Sequence, residues 1–161
     1  MDERKSVPLS SKDYWAAIYG NIPGKEGPAP SRLRKWVPER IRRTRRRLLQ
    51  SHWFRQLVEI LLRPQLEGRT GLKSLEIGSA PGYRSLELWE RFGVVPFGWE
   101  YTAEGTALQR ELYRRRGLPE ELVVQGDFFD DALRAKWSGM FDLVVSFGFI
   151  EHFDCPQDVV A

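Results

Sequence analysis

Two glutamates stand where apolar segments end. LEIGSAPG (residues 75–82) carries Glu76 in an apolar run that breaks into a bend of small residues, and FGWE (residues 97–100) closes on Glu100. A carboxylate within an apolar strand is costly to bury alone, so Glu76 needs loop N–H groups or a cationic ligand group as partner. Gly78 permits a tight turn, while Ser79, Ala80 and Gly82 keep bulk off the backbone, as a loop must if a ligand is to lie against it. Pro81 suits the first turn of a following helix, whose free N–H groups then face the same crevice.

Further along, QGDFF offers Asp127 and Phe128, and FDLVVSFGFIEHF offers Phe147, Gly148, Glu151 and His152. Asp127 reads equally as a helix cap, and Phe128 as core. Glu151 and His152 fall in the loop after an apolar run, where the alternatives are a general base or a residue that orients the loop. Near the start, DYWAAIYG (residues 13–20) places Tyr14 and Trp15 where they either cover a ligand or pack a helix. A dinucleotide fingerprint fails at this bend: counting from Gly78, its second and third glycines fall on Ala80 and Tyr83. There is no G-x-x-x-x-G-K-[ST] stretch either. With His52, His152 and Cys155 as the only nitrogen and sulfur candidates, no zinc site of the usual kind is expected.

The elements that must position these residues alternate in type. Apolar segments at 72–77, 94–100, 121–127 and 141–147 read as strands. Helical patterns follow at 81–92, from about 101 to 116, and at 131–137, with Gly93 and Gly117 as stops. A β-α-β-α-β-α-β register argues for an α/β, Rossmann-like, doubly wound parallel sheet. In such sheets ligands sit at the carboxyl ends of strands, where strand order reverses, and the turn after Ile77 lies there. Residues 1–70 read as an N-terminal helical cap, residues 71–161 as the sheet domain. The cap includes a long helical pattern between Pro38 and Pro64, with Ile41, Leu48, Leu49, Trp53, Leu57, Ile60 and Leu61 on one face.

Taken together, Glu76-x-Gly78-x-Ala80-x-Gly82, FGWE, QGDFF and FDLVVSFGFIEHF resemble, in order and spacing, the motifs of class I S-adenosylmethionine-dependent methyltransferases of the small-molecule branch. Alanine at 80 replaces the middle glycine of that family's loop. The resemblance spans residues 72–161 and implies S-adenosylmethionine as cofactor. It implies that Glu76, Gly78, Ser79, Ala80 and Gly82 hold the methionine moiety. Glu100, with Tyr101 beside it, would hold the ribose hydroxyls by a bidentate hydrogen bond. Asp127 and Phe128 would flank the adenine, Phe147 and Gly148 would line the floor, and Tyr14 would fold over the cofactor. The family's sheet has seven strands in the order 3-2-1-4-5-7-6, of which this chain supplies the 3-2-1-4 part. Strand four is then an apolar edge, to be covered by a missing C-terminal half or by a second copy.

Charge supplies a rival reading. Residues 32–47 carry nine Lys or Arg against Glu39, in a chain whose net charge is +3. Clustered arginines on a helix are a footprint of phosphate-backbone binding, although a solvated face is the favoured reading. An RNA-directed methyltransferase, a cofactor-binding fragment without activity and a nicotinamide-dependent oxidoreductase therefore stand beside the main expectation of methyl transfer to a small-molecule acceptor. The longest apolar run is too short to span a membrane. The charged start and single cysteine point to a reducing, cytoplasmic setting.

Overall fold

Alternation along the first strand decides what each face of the sheet can hold. In β1 (Lys73–Ile77) every residue after Lys73 is buried. Leu75 and Ile77 project to one side and Ser74 and Glu76 to the other, as the two-residue period of a strand requires. In the computed structural model, which describes residues 10–20 and 52–160, β1 pairs in parallel with β2 (Val95–Glu100) and with β4 (Leu143–Ser146). β2 pairs in parallel with β3 (Val123–Gln125). The order is β3-β2-β1-β4, the 3-2-1-4 part that the resemblance implies, and the parallel pairing is the one that the alternation of elements predicts.

Helices cover both faces. Leu75, Ile77 and Trp99 pack with Trp137, and with Phe97, Phe128, Leu133, Phe141 and Phe149 around them. Trp137 ends α5 (Asp131–Trp137). On the opposite face Leu86 of α3 (Tyr83–Phe92) meets Tyr113 of α4 (Ala103–Arg115) and Val123. Register places Glu76 opposite Gly98, so Glu76, Gly98 and Glu100 all face this second, α3–α4 side. Gly93 ends α3 with φ +68°, its N–H donating to the Trp89 carbonyl at 2.8 Å, the glycine cap expected there.

The N-terminal α1 (Lys12–Gly20) belongs to the same compact unit as the sheet. The chain completes this unit with a 3-10 turn at Ile150–His152 and α6 (Pro156–Val160).

Residues 52–69 belong to a second compact unit. Residues 52–57 are helical, a π turn spans Val58–Leu62, and α2 (Arg63–Leu66) follows. Here the expected apolar face is wrong. Phe54, Val58 and Leu66 are buried, whereas Trp53, Ile60 and Leu61 are exposed. The Arg63 N–H reaches back five residues to the Val58 carbonyl, and that wider turn rotates the later residues out of the phase read for a regular helix. The arginine-rich stretch 32–47, with Ile41, Leu48 and Leu49, lies outside the described residues.

One further expectation needs correction: α3 begins at Tyr83, not Pro81, because Gly82 sits at φ +90° ahead of it. On β4, Val144 is 57% exposed. It lies level with Leu75, and among the described residues β4 pairs only with β1, at the sheet's edge.

Candidate functional site

All four strands run the same way, so their carboxyl ends lie along one edge of the sheet, and a cavity of about 140 Å³ opens there. Ile77 and Gly78 contribute from β1 and the bend after it, Trp99, Glu100 and Tyr101 from the end of β2. Gly126, Asp127 and Phe128 follow β3, and Gly148, Phe149 and His152 follow β4. Trp15 and Tyr19 of α1 contribute as well.

Glu100 is the best-held acid in this set. It is 3% exposed. Its Oε1 accepts the N–H of Thr102 at 3.0 Å and the Thr102 hydroxyl at 2.8 Å, and Oε2 accepts the Ala80 N–H at 3.2 Å. A carboxylate offers about four acceptor positions, so three are used within the chain. One position remains on Oε2, which accommodates a single ligand hydroxyl where a bidentate pair was expected. Thr102 also caps α4, its hydroxyl accepting the Gly105 N–H at 3.1 Å. Gly105 has no room for a side chain: a Cβ there would lie 2.8 Å from the Glu100 carboxyl carbon.

Glu76 is satisfied differently. It is buried on the α3–α4 face, where the Ser85 hydroxyl donates to its Oε2, and it does not line the cavity. Burial pushes its pKa up to about 7, with Glu100 adding to the rise while Ser85 and Arg84 oppose it. The chain itself thus supplies the partner that the sequence left open to a loop or a ligand. Tyr19 feels both acids. Its hydroxyl donates to the Ala80 carbonyl at 3.4 Å, and its pKa is driven well up by burial, then by Glu100 and Glu76.

The loop after β1 divides. Gly78 lines the cavity with φ +67°, and its Cα faces the Phe149 ring so closely that a Cβ would meet that side chain at 3.1 Å. Ser79, Ala80 and Gly82 do not line it. They sit behind the bend, with Ser79 1% exposed and bonded to Gln109. The start of α3 likewise contributes nothing to the cavity wall.

Asp127 lines the cavity and is exposed. Its Oδ1 accepts the Phe129 N–H at 3.0 Å, while the cap of α5 is Asp130, which accepts the Ala132 and Leu133 N–H groups. Phe128 lines the cavity and also packs edge-on to Trp99 and Phe149, with ring centroids 5.6 and 5.7 Å away. It is wall and core at once.

After β4 the structure separates neighbours. Gly148 and His152 line the cavity; Phe147 and Glu151 do not. The Phe147 carbonyl accepts from Arg84 at 2.8 Å, and its ring lies 4.8 Å from that guanidinium. Glu151 is exposed. The His152 ring stands edge-on to Trp15, centroids 4.8 Å apart.

The same separation holds in α1. Tyr14, 54% exposed, is not part of the wall; Trp15 and Tyr19 are. Their spacing of four puts both on one helix face, a signal available in the sequence, whereas Tyr14 falls roughly a quarter-turn away. Phe149 and Phe153 are further wall residues that the sequence reading did not single out.

The wall chemistry is one-sided. Among the described lining residues there are two acids, Glu100 and Asp127, many aromatic rings, and no Lys or Arg. Two cations stand against lining rings without joining the wall: Lys12 Nζ lies 4.8 Å from the centre of the Tyr101 ring and the Arg134 guanidinium 5.5 Å from that of Phe128. No group of three or more His, Cys, Asp or Glu side chains among the described residues is placed to hold a metal ion. None of their helices is long and apolar enough to cross a membrane. No protein-family model and no curated protein matches the chain.

Proposed function

We propose that the chain is an S-adenosylmethionine-dependent methyltransferase domain acting on a small-molecule acceptor. One observation carries this reading. Gly78, Glu100, Asp127 and Phe128, drawn from three separate motifs, meet in one acidic and aromatic cavity that has no cationic side chain among its described lining residues. A dinucleotide or nucleoside triphosphate needs partners for its phosphates; a sulfonium nucleoside needs none and gains from nearby carboxylates and ring faces.

In this reading Glu100 offers its free acceptor position to one ribose hydroxyl, and Asp127 and Phe128 border the base. Gly78 lets the ligand approach the backbone. Trp15 and Tyr19 exclude water from above, which strengthens every polar contact beneath them. When bound, S-adenosylmethionine supplies an electrophilic methyl group on sulfur, which passes to a nucleophilic atom of the acceptor and leaves S-adenosylhomocysteine. This reading assigns the acceptor's proton to His152, which lines the cavity, and not to Glu151, which is exposed and off the wall. The protein's contribution is placement and dryness.

Backbone amide spectra recorded during titration with S-adenosylmethionine test this. The expected result is saturable shifts at Gly78, Tyr101, Asp127 and Gly148 and at the Trp15 indole. Shifts absent from these positions, or confined to other surfaces, would remove the reading.

A further inference from the structure

On the α3–α4 side of the sheet, two glycines leave a hole that one side chain fills. A Cβ on Gly98 would lie 2.4 Å from Gln109 Nε2, and a Cβ on Gly82 would lie 2.8 Å from Gln109 Cγ. Gln109, from the middle of α4, is fully buried there. Its Oε1 accepts the Ser79 hydroxyl at 2.6 Å, and its Nε2 donates to the Tyr113 hydroxyl at 3.2 Å. Tyr113 is also fully buried and neighbours the hydroxyl of Ser85, which donates to Glu76.

We infer that Gln109 is a positioning residue, which sets the bend at 78–82 against the tip of β2 from behind. Three successive amides of the bend are committed to β2. Gly78 N–H and Ser79 N–H donate to the Trp99 carbonyl at 2.9 and 3.4 Å, and Ala80 N–H donates to Glu100 at 3.2 Å. Two backbone bonds and the Glu100 carboxylate fix the near side of this bend. The Ser79 side chain is its handle on the far side, and Gln109 is what that handle grips. Glycine at 82 and 98 is required for the grip, since any larger residue would displace the amide. Gln109 does not line the cavity, so it acts on a ligand only through the bend.

The test is Gln109→Met, which keeps most of the volume between the two glycines and removes both hydrogen bonds. A buried hydroxyl left without its partner costs enough to raise local opening about tenfold. Amide hydrogen exchange at Ser79 and Ala80 is therefore expected to speed up about tenfold, with the amides of β3 and α5 unchanged. Ser79→Ala is expected to loosen the bend as well, and the double variant little more than Gln109→Met alone, since the Ser79–Gln109 bond is common to both. Leu118→Ala, in the α4-side core away from the bend, is expected to lower the melting temperature without a selective effect on the bend. Affinity for S-adenosylhomocysteine, measured on the same variants, is expected to fall with bend protection and not with melting temperature.

Unchanged exchange at Ser79 and Ala80 in Gln109→Met, or acceleration shared by all amides, would overturn the positioning role. So would fully additive effects in the double variant. The role rests on the exchange data, whereas its consequence for the ligand rests on the proposed function. If the unaltered protein fails to bind S-adenosylhomocysteine while the exchange pattern appears, the cofactor reading has failed and the role of Gln109 has not.

Discussion

The Glu100 carboxylate accepts the Ala80 N–H at 3.2 Å, so the tip of β2 and the bend after β1 form one hydrogen-bonded unit. The two motifs are not independent walls of the cavity. A change at either reaches the other, and removing the acid leaves the buried donors of Thr102 and the half-buried N–H of Ala80 without that partner.

Replacing Glu100 by Gln places an amide NH₂ against at least one of those donors. Stability should fall by about 1–3 kcal/mol in denaturant unfolding, the usual cost of an orphaned buried donor. Affinity for S-adenosylhomocysteine should fall about tenfold or more, because the remaining acceptor position is lost or misdirected. A stability loss with unchanged affinity would make Glu100 a brace and not a ligand-binding acid.

Glu76 predicts a pH dependence. Its carboxyl titrates near pH 7 in the folded chain against an ordinary value of 4.5. The folded state therefore holds the proton more tightly than the unfolded state. Stability is greatest below about pH 4.5 as far as this group is concerned, declines as pH rises to 7, and is flat above, a loss on the order of 3 kcal/mol. Glu76→Gln should abolish this decline and be more stable than the parent at pH 8. Parallel stability profiles for the two proteins between pH 5 and pH 8 would contradict it.

α1 contains no buried residue, yet Trp15 and Tyr19 line the cavity. Trp15→Ala should therefore change unfolding free energy by less than about 1 kcal/mol. S-adenosylhomocysteine affinity should fall about tenfold in the same variant. Tyr14→Ala should change neither. Melting curves paired with titrations check both variants, and an affinity loss at Tyr14 equal to that at Trp15 would refute the assignment of the wall.

Alanine in place of a helical glycine ordinarily stabilises by about 0.5–1 kcal/mol. At Gly105 the sign should reverse, since the new methyl would lie 2.8 Å from both Glu100 and the Thr102 hydroxyl. Destabilisation by about 1–3 kcal/mol is expected from such overpacking. A stabilised Gly105→Ala protein would show that Glu100 is free to move aside.

How much of this could be read from residues alone follows from what each depends on. Strands and their parallel pairing were legible because apolar runs alternate with helices stopped at Gly93 and Gly117, features carried by neighbouring residues, whereas their order came only through the resemblance. The exposure of Val144 was not, because burial of an edge strand depends on what lies beside it. Glu100 was visible as an acid at a strand end, but the three donors that restrict it to one free position come from Thr102 and Ala80. Gln109 was invisible: a glutamine within a charged helical pattern looks solvent-facing, and its partner Ser79 is 30 residues distant. Helical spacing by itself distinguishes Tyr14 from the Trp15–Tyr19 pair, since residues four apart share a face.

Calorimetric titration of the full chain with S-adenosylhomocysteine and with NAD, side by side, tests the central claim most directly. Saturable single-site binding of the former and none of the latter is the predicted result. Binding of NAD, or heat from neither ligand, would contradict it.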